Sequence, residues 1–573
     1  MRKQTKIAAI VSAAALLAIG ASMTSFAATG WQEEDGSWVY YNKNGEQVTD
    51  TWEKSGANWF YLDDAGVMAT DQLIEYNDNY YYVDANGAMV TERWIAIDNE
   101  DAGEEDEPDV HWYYFQANGK ALRKSDSHEH IFKKTLPGGK TYAFDSEGKM
   151  LYGWVRYSDG ERQTGDTAWK EAEYYFGDEN DGAMTTGWRE IAITDDEAED
   201  LQPGDSFWDE DQVRWFYFKS SGKKEYGSKV DDGVGTGKYN KKINGKKYGF
   251  DEYGRMVADW YSASVGEASE GDAAYTETFM YFSSPEDGAR HSKSWFKVVP
   301  GYYLHQSKYE DGDDYWYYAD GDGHLYASII KSIKGKKYAF DNYGRMKKGL
   351  QLMSVNSDNT INEIIADDDA NYNYETEDEF KKTALKTLDP EEEIYNYRFY
   401  FFSNDEDHDG SMKTGNQTVT IDGDSFTFKF KKSGTQKGQG ENGVDIDKHK
   451  VYLGGMLFKA SSDDKFKILG VTKGEIKEYD TAKFLELAKS FDGYDTYVNN
   501  EDKTVPKQGF KHDISVKKGG TLYFWDPNET TKDDFVLVNT SGSMVRSGSK
   551  KDGDGYKIIT NGEYGLKAIL VED

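Results

Sequence analysis

A fixed phase of aromatic residues and glycine opens this chain. Gly45, Gly66 and Gly87 follow one another at steps of 21 residues. A second position keeps the same step through Trp31, Trp52, Leu73 and Trp94, and a third through Tyr40, Tyr61 and Tyr82. A single insertion would break this phase, so agreement at several positions marks true internal repetition. Each unit predicts a β-hairpin. Trp38-Val39-Tyr40-Tyr41, Trp59-Phe60-Tyr61-Leu62 and Tyr80-Tyr81-Tyr82-Val83 have strand propensity. The Asn/Asp-rich segments before Gly45, Gly66 and Gly87 supply turn chemistry, and segments such as Val67–Thr70 supply the expected second strand. One hairpin is marginal in water, so neighbours must stack and share an aromatic core. The fold class expected is all-β: a β-solenoid of stacked aromatic-Gly β-hairpins with acidic loop inserts.

A longer period follows. Trp112, Trp215 and Trp316 open three blocks of about one hundred residues, filling 112–425 with degenerate repeats. Each block carries a short hairpin (Lys140–Met150, Lys247–Met256, Lys337–Met346) and then a longer one (Tyr174–Gly182, Met280–Gly288, Tyr400–Gly410). Acidic inserts at 97–110, 194–212 and 361–393 predict solvated edge loops, the last with a short helix over Glu377–Leu388, which lacks Gly and Pro. In 426–573 the pattern decays into a divergent repeat or cap region. Phe426–Gly434, Lys450–Met456 and Phe535–Gly542 remain as worn copies, and Thr481–Ser490 has the spacing of a short amphipathic helix.

Aromatic residues make up 15% of the chain, with 43 Tyr and 15 Trp, which argues against disorder and for many thin aromatic cores. The net charge of -36 disfavours nucleic acid and anionic membranes as partners. There is no Cys, so disulfides and thiol chemistry are excluded. Residues 1–27 read as a signal peptide. Arg2, Lys3 and Lys6 precede the apolar run Ile7–Ile19, and cleavage is expected after Ala27 or Ala28. No later stretch is long and apolar enough to span a bilayer, so no membrane insertion is expected after signal cleavage. No LPXTG-like sorting motif is present.

Gly30-Trp31, Trp38-Val39-Tyr40-Tyr41, Gly45 and Thr51-Trp52, with the phrase Thr186-Gly187-Trp188 further on, resemble the cell-wall-binding (choline-binding) repeats of Gram-positive surface proteins. These are similar to the glucan-binding repeats of streptococcal glucosyltransferases and to clostridial toxin repeats. The resemblance covers nearly all of 30–425 and, faintly, 426–573. It implies a secreted protein of the cell wall or cell surface whose partner is a wall polymer, choline-bearing teichoic acid or a glycan. It also implies aromatic cages that hold a quaternary ammonium, with two Trp from one hairpin and an aromatic from the next. The positions that match are Trp31 and Trp38 with Tyr61, and Trp52 and Trp59 with Tyr82. The third repeat has Leu73 and Tyr80 in the two Trp positions. Past residue 94 the spacing lengthens, and Ala143-Phe144 and Gly249-Phe250 replace the aromatic pair, so cages are expected near the N-terminus only.

No cofactor, metal site or catalytic residue is expected. HExxH and GxSxG are absent, and Gly233–Lys238 lacks the spacing and hydroxyl of a phosphate loop. Asp405–Gly410 copies the start of a calcium loop, but Asn416 stands at the twelfth position, so it reads as a turn. His128 and His130 read as an exposed loop. The function expected is non-catalytic wall attachment. Two other classes fit the residues: a carbohydrate-binding adhesin, and a wall hydrolase with its site inside 426–573.

Overall fold

The computed structural model describes residues 29–104, 106–195, 200–205, 207–208, 212–227, 240–262, 269–365, 374–404, 409–472, 475–491, 494–498, 503–505, 514–525 and 535–572. The expected signal peptide, the segment 233–238 and residues 405–408 of the calcium-like turn lie outside them. The chain forms two compact units, Met1–Asp196 with Asp211–Tyr226, and Glu197–Glu210 with Gly227–Asp573.

The first unit is a succession of antiparallel hairpins. Hairpin 1 pairs Gly30–Glu34 with Ser37–Tyr41, hairpin 2 pairs Thr51–Ser55 with Asn58–Leu62, and hairpin 3 pairs Gln72–Tyr76 with Asn79–Val83. Hairpin 4 pairs Arg93–Asp98 with Val110–Phe115, and hairpin 5 pairs Lys133–Thr135 with Thr141–Ala143. Hairpin 6 pairs Gly153–Val155 with Tyr174–Asp178 inside a four-stranded sheet, and hairpin 7 pairs Gly187–Ala192 with Val213–Phe218.

The aromatic strand therefore pairs with the segment before it. The expected partner Val67–Thr70 is not a strand of the hairpin and touches the ladder through single bridges only. The tight turn lies elsewhere: Asp35 and Gly36 both have positive φ (49° and 81°), as do Asn77 and Asp78 (50° and 56°). Two left-handed residues in succession match the right-handed twist of flanking strands, so these turns close the hairpins. The turn before Gly66 has a different task. The Asp63 carboxylate accepts from Val67 N–H (2.8 Å), and Gly66 N–H donates to the Asp63 carbonyl (3.0 Å). This turns the chain out of its own hairpin, and Met68 N–H then donates to the Trp38 carbonyl of hairpin 1 (2.7 Å).

That step recurs down the unit. Met89 donates to Trp59 (2.8 Å), Ala121 to Tyr80 (2.8 Å), Met150 to Trp112 (2.8 Å) and Lys224 to Glu173 (2.6 Å), always backbone to backbone and always one hairpin back. A residue at or near the end of the aromatic strand forms the spine from hairpin 2 onward: Leu62, Val83, Phe115, Phe144, Phe176 and Phe218 are completely buried. The 21-residue glycine phase has a packing cause as well as a conformational one. At Gly87 φ is +78°, and a Cβ there would sit 2.8 Å from the Met68 sulfur of the preceding repeat.

In the second unit the same scheme continues. Hairpin 8 pairs Lys241–Ile243 with Lys246–Tyr248, hairpin 9 pairs Trp260–Ser262 with Phe279–Tyr281, and hairpin 10 pairs Ser294–Val298 with Tyr315–Ala319. Hairpin 11 pairs Ile329–Ile333 with Lys336–Phe340. Gly349–Val355, with Ile361–Ile365 and Arg398–Phe402, then makes a three-stranded sheet. From Gly415 onward wider sheets appear, two of five strands and one of three, beside a two-stranded pair of Lys503–Val505 with Ile514–Val516. The two expected helices form. Glu377–Lys386 starts at Thr376, whose hydroxyl accepts from Glu379 N–H (3.1 Å), and its Phe380 packs against Phe399 and Phe428. Thr481–Ala488 starts at Asp480 and buries Phe484 against Trp525 and Phe535. The worn repeats keep their backbone step, since Gly440 donates to the Phe399 carbonyl (2.8 Å) and Met544 to that of His449 (2.8 Å). Among the described residues no helix is long and apolar enough to cross a membrane.

Candidate functional site

Alternation along a strand sends neighbouring side chains to opposite faces. In hairpin 1, Trp31 pairs across the strands with Tyr40 and Glu33 with Trp38, so Trp31, Trp38 and Tyr40 share one face. In hairpin 2, Trp52 pairs with Tyr61 and Lys54 with Trp59, which places Trp52, Trp59 and Tyr61 together. Phe60 points the other way, toward hairpin 1.

The ring that meets Trp31 from the following hairpin is therefore Phe60, at 5.3 Å between centroids, and the ring that meets Trp52 is Tyr81, at 5.2 Å. The expected third members, Tyr61 and Tyr82, are displaced by one residue and belong to the opposite face of their strands. Tyr61 packs on Trp52 of its own hairpin (5.2 Å), and Tyr82 packs on Phe115 (6.1 Å) while its hydroxyl donates to Asp71 (2.6 Å). Burial and that carboxylate push the Tyr82 phenol far up, so it stays neutral. Trp31, Trp38 and Trp52 are half-buried, and Trp59 is 40% exposed. An exposed lysine, Lys54, holds its ammonium 5.7 Å from the Trp59 ring centre.

The stack between hairpins 1 and 2 is thus bordered by Trp31, Trp38, Phe60 and Met68. The next, between hairpins 2 and 3, is bordered by Trp52, Trp59, Tyr81 and Met89. Between hairpins 3 and 4 the corresponding residues are Leu73, Tyr80, Tyr113 and Ala121, so no Trp is present.

Two complete sets occur where the spacing of the sequence had argued against them. Between hairpins 4 and 5, Trp94 meets Tyr142 at 4.9 Å, with Trp112 in the second Trp position and Met150 beside it. Between hairpins 10 and 11, Trp295 meets Tyr338 at 4.8 Å and Trp316 at 6.5 Å, with Met346 donating its N–H to the Trp316 carbonyl (2.8 Å). Hairpin 7 carries the same Trp pair, Trp188 and Trp215, 6.4 Å apart. The inserts that lengthen the spacing lie between the two strands of hairpins 4 and 10, and in the longer link 116–132 between hairpins 4 and 5. They leave the ladder register alone: Trp94 pairs with Tyr114 and Trp295 with Tyr318 as Trp31 does with Tyr40. The missing aromatic of Ala143-Phe144 is supplied one residue earlier, by Tyr142. Reading the rings in pairs across the insert would have found both sets.

The second unit also has a separate cleft of about 910 Å³, lined among others by Trp208, Tyr261, Tyr302 and Tyr303 with Asp205 and Asp259. Trp208 and Tyr303 are 36% and 42% exposed, and the Tyr303 hydroxyl donates to Asp205 (2.9 Å). Burial raises the Asp259 carboxyl. Among the described residues no cluster of three metal-ligating side chains occurs. Asp409, from the calcium-like turn, is held well below the usual carboxylate range by a hydrogen bond from Ser411 together with Lys413 (3.1 Å) and Lys336 (3.3 Å).

Residues 28–63 and 49–94 match the choline-binding repeat family. The chain carries choline-binding repeats at its N-terminal end. Among solved structures, it is similar to the modular autolysin LytC from Streptococcus pneumoniae at 16% identity (TM-score 0.29), with 56% of this chain and 54% of that one covered. The chain thus spans about half the length of that autolysin. Choline-binding protein F from the same species matches at 17% identity (TM-score 0.28) over 72% of this chain and 100% of its own length. The choline-binding domain of Spr1274 from Streptococcus pneumoniae matches at 26% identity (TM-score 0.13) over 17% and 96%. No curated protein sequence matches the chain.

Proposed function

We propose that this is a non-catalytic surface protein that attaches to the cell wall through quaternary-ammonium groups held in the Trp-bearing stacks. The observation that carries the reading is the recurrence of one constellation, two Trp on one hairpin and an aromatic ring from the next. It occurs at Trp31, Trp38 and Phe60, at Trp52, Trp59 and Tyr81, at Trp94, Trp112 and Tyr142, and at Trp295, Trp316 and Tyr338. A cation against such rings gains roughly 0.5–2 kcal/mol per contact, and a methylated ammonium has little hydration to lose. One such site is weak. Several along a β-solenoid facing a repetitive polymer give avidity without any new contact. Choline on teichoic acid has this chemistry, and a wall or cell-surface location follows from it. The chain after signal cleavage should bind purified choline-bearing walls, and free choline should release it. Retention on the walls at saturating choline would defeat the reading. Peptidoglycan zymography of the same chain is expected to leave no clearing zone.

A second reading, glycan binding, is favoured by the cleft of the second unit. Exposed Trp208 and Tyr303 offer flat apolar faces for sugar rings, and Asp205 offers an acceptor for hydroxyls. A glycan array probed with the full chain and with Trp208→Ala separates the two, because only glycan binding through the cleft is lost in the variant.

A further inference from the structure

Not every stack between hairpins is bordered by two Trp and a Met, and two of the exceptions, those on either side of hairpin 6, share a feature. Between hairpins 6 and 7 the four positions hold Trp154, Glu173, Phe216 and Lys224. Trp154 and Phe216 meet at 5.2 Å, as their counterparts do elsewhere. Lys224 replaces the Met of the Trp-bearing stacks and makes the same backbone bond to the preceding hairpin. Its side chain is only 2% exposed. The ammonium lies 5.1 Å from the Trp154 ring centre and 5.7 Å from that of Phe216, and donates to the Trp169 carbonyl (2.6 Å). Trp169 belongs to the short helix Ala168–Glu171 that sits in the insert of hairpin 6.

Between hairpins 5 and 6 a lysine arrives from another position. Lys133 stands where hairpins 1, 2 and 4 have Trp. Its ammonium is 4.2 Å from the centre of Tyr174, the ring contributed by hairpin 6, and it donates to the Ser221 carbonyl (2.9 Å). Two different sequence positions thus deliver an ammonium to the aromatic face between hairpins. At the stack between hairpins 2 and 3 a lysine also lies over a ring, Lys54 on Trp59, but it is solvent-exposed.

We infer that Lys224 and Lys133 are tethered occupants: each supplies from within the chain the cation that the Trp-bearing stacks take from outside. The stacks at Trp154 and Tyr174 are consequently closed to exogenous ammonium, and they hold hairpins 5, 6 and 7 together whether or not ligand is present. This rests on the reading that the Trp-bearing stacks bind a quaternary ammonium. The physics is the same at both kinds of site. A cation on a ring face gains from the quadrupole, and an ammonium withdrawn from water must also be hydrogen-bonded, as the Trp169 carbonyl provides for buried Lys224 and the Ser221 carbonyl for half-buried Lys133. Tethering removes the loss of translational freedom that a free ligand suffers.

The test uses the full chain. Lys224→Ala removes the ammonium and leaves a cavity, and ethylammonium chloride is the probe, with ethanol and sodium chloride as controls. Ethylammonium also reaches the open Trp-bearing stacks of both proteins, so it is expected to raise the unfolding midpoint of Lys224→Ala by more than that of the parent chain, and beyond either control. Equal responses to ethylammonium and sodium would overturn the proposal. Lys224→Met keeps the volume and restores the residue of the Trp-bearing stacks. It is expected to unfold about 5 °C below the parent, and a midpoint at or above the parent's would show that the ammonium contributes nothing. Finally, Trp154→Phe should leave the choline-binding isotherm of the chain unchanged. A loss of choline sites in that variant would mean that this stack takes free ligand. If the parent binds no choline while Lys224→Ala is still rescued, the choline reading fails and the tethered ammonium stands. If the parent binds choline and no rescue occurs, the reverse holds.

Discussion

Replacing Trp52 by Leu separates a ligand cage from a mere packing spine. The chain already carries the control, because Leu73 occupies the same position one repeat later. Trp52 touches Tyr61 of its own hairpin and Tyr81 of the next, each at 5.2 Å between ring centres. Shrinking the side chain exposes roughly 60 Å² of apolar surface, worth about 1.5 kcal/mol. Two aromatic pairs are lost as well, at about 0.5–1.5 kcal/mol each. The expected destabilisation is therefore about 2.5–4.5 kcal/mol, which lowers the midpoint of the first unit by roughly 5–18 °C. The fold should survive, since hairpins 3 and 4 stack without a Trp. Binding should respond separately. Removing one ring from the cage forfeits about 0.5–2 kcal/mol, so choline at that stack weakens by about 2- to 30-fold. Calorimetric titration of the folded variant, well below its midpoint, should show one site weakened and the others at parental affinity. If Trp52→Leu unfolds earlier but every choline site keeps its affinity, the rings between hairpins 2 and 3 are packing alone and the cage argument is wrong there.

Asp145 offers a pH test. Its carboxylate accepts from Glu147 N–H (2.9 Å) and Lys149 N–H (2.8 Å), as the neutral Asn42 does with Asn44 and Glu46. Burial pushes the Asp145 carboxyl up to about 6, so the charged form penalises the fold above that pH, and the penalty fades as pH falls toward 4. Asp145→Asn keeps the acceptor and should stabilise the first unit by about 2–3 kcal/mol at pH 7.5 but by little at pH 4; thermal unfolding at the two values checks the sign. Gly177 sits at a bulge with φ +26°, where a Cβ would lie 1.8 Å from the Asp181 carbonyl oxygen. Gly177→Ala should cost at least ~2 kcal/mol in the same assay. Thr376→Ala removes the helix cap at Glu379 and should cost about 1 kcal/mol, read by urea unfolding, with choline binding unaltered.

The aromatic phase by itself determined that this chain is a series of hairpins, because Trp, Tyr and Phe in short runs between turn residues have few other ways to bury themselves. Local chemistry was equally sufficient for the helices at Glu377–Lys386 and Thr481–Ala488, the first announced by a run free of Gly and Pro and the second by amphipathic spacing. The Trp positions at 31, 38, 52 and 59 followed from the resemblance to choline-binding repeats, and the ladder register puts each pair on one face of its hairpin. What lies between hairpins was not. The Asp35-Gly36 turn puts the pairing before the aromatic strand, and the turn at Asp63 sends Met68 back to the preceding hairpin. That offset between layers selects Phe60 and Tyr81 as the rings that complete each stack, one residue away from the expected Tyr61 and Tyr82. Inserts within a hairpin lengthen the sequence without moving the ladder, so Trp295, Trp316 and Tyr338 meet although far apart in the chain. Nothing in the local sequence marks Lys224, and only its position by the helix at Ala168–Glu171 makes it a buried cation on two rings. Strand periodicity fixes which residues share a face of one hairpin. Which face of the next hairpin they meet is set by how far the connecting chain steps back, and the tertiary structure alone carries that distance.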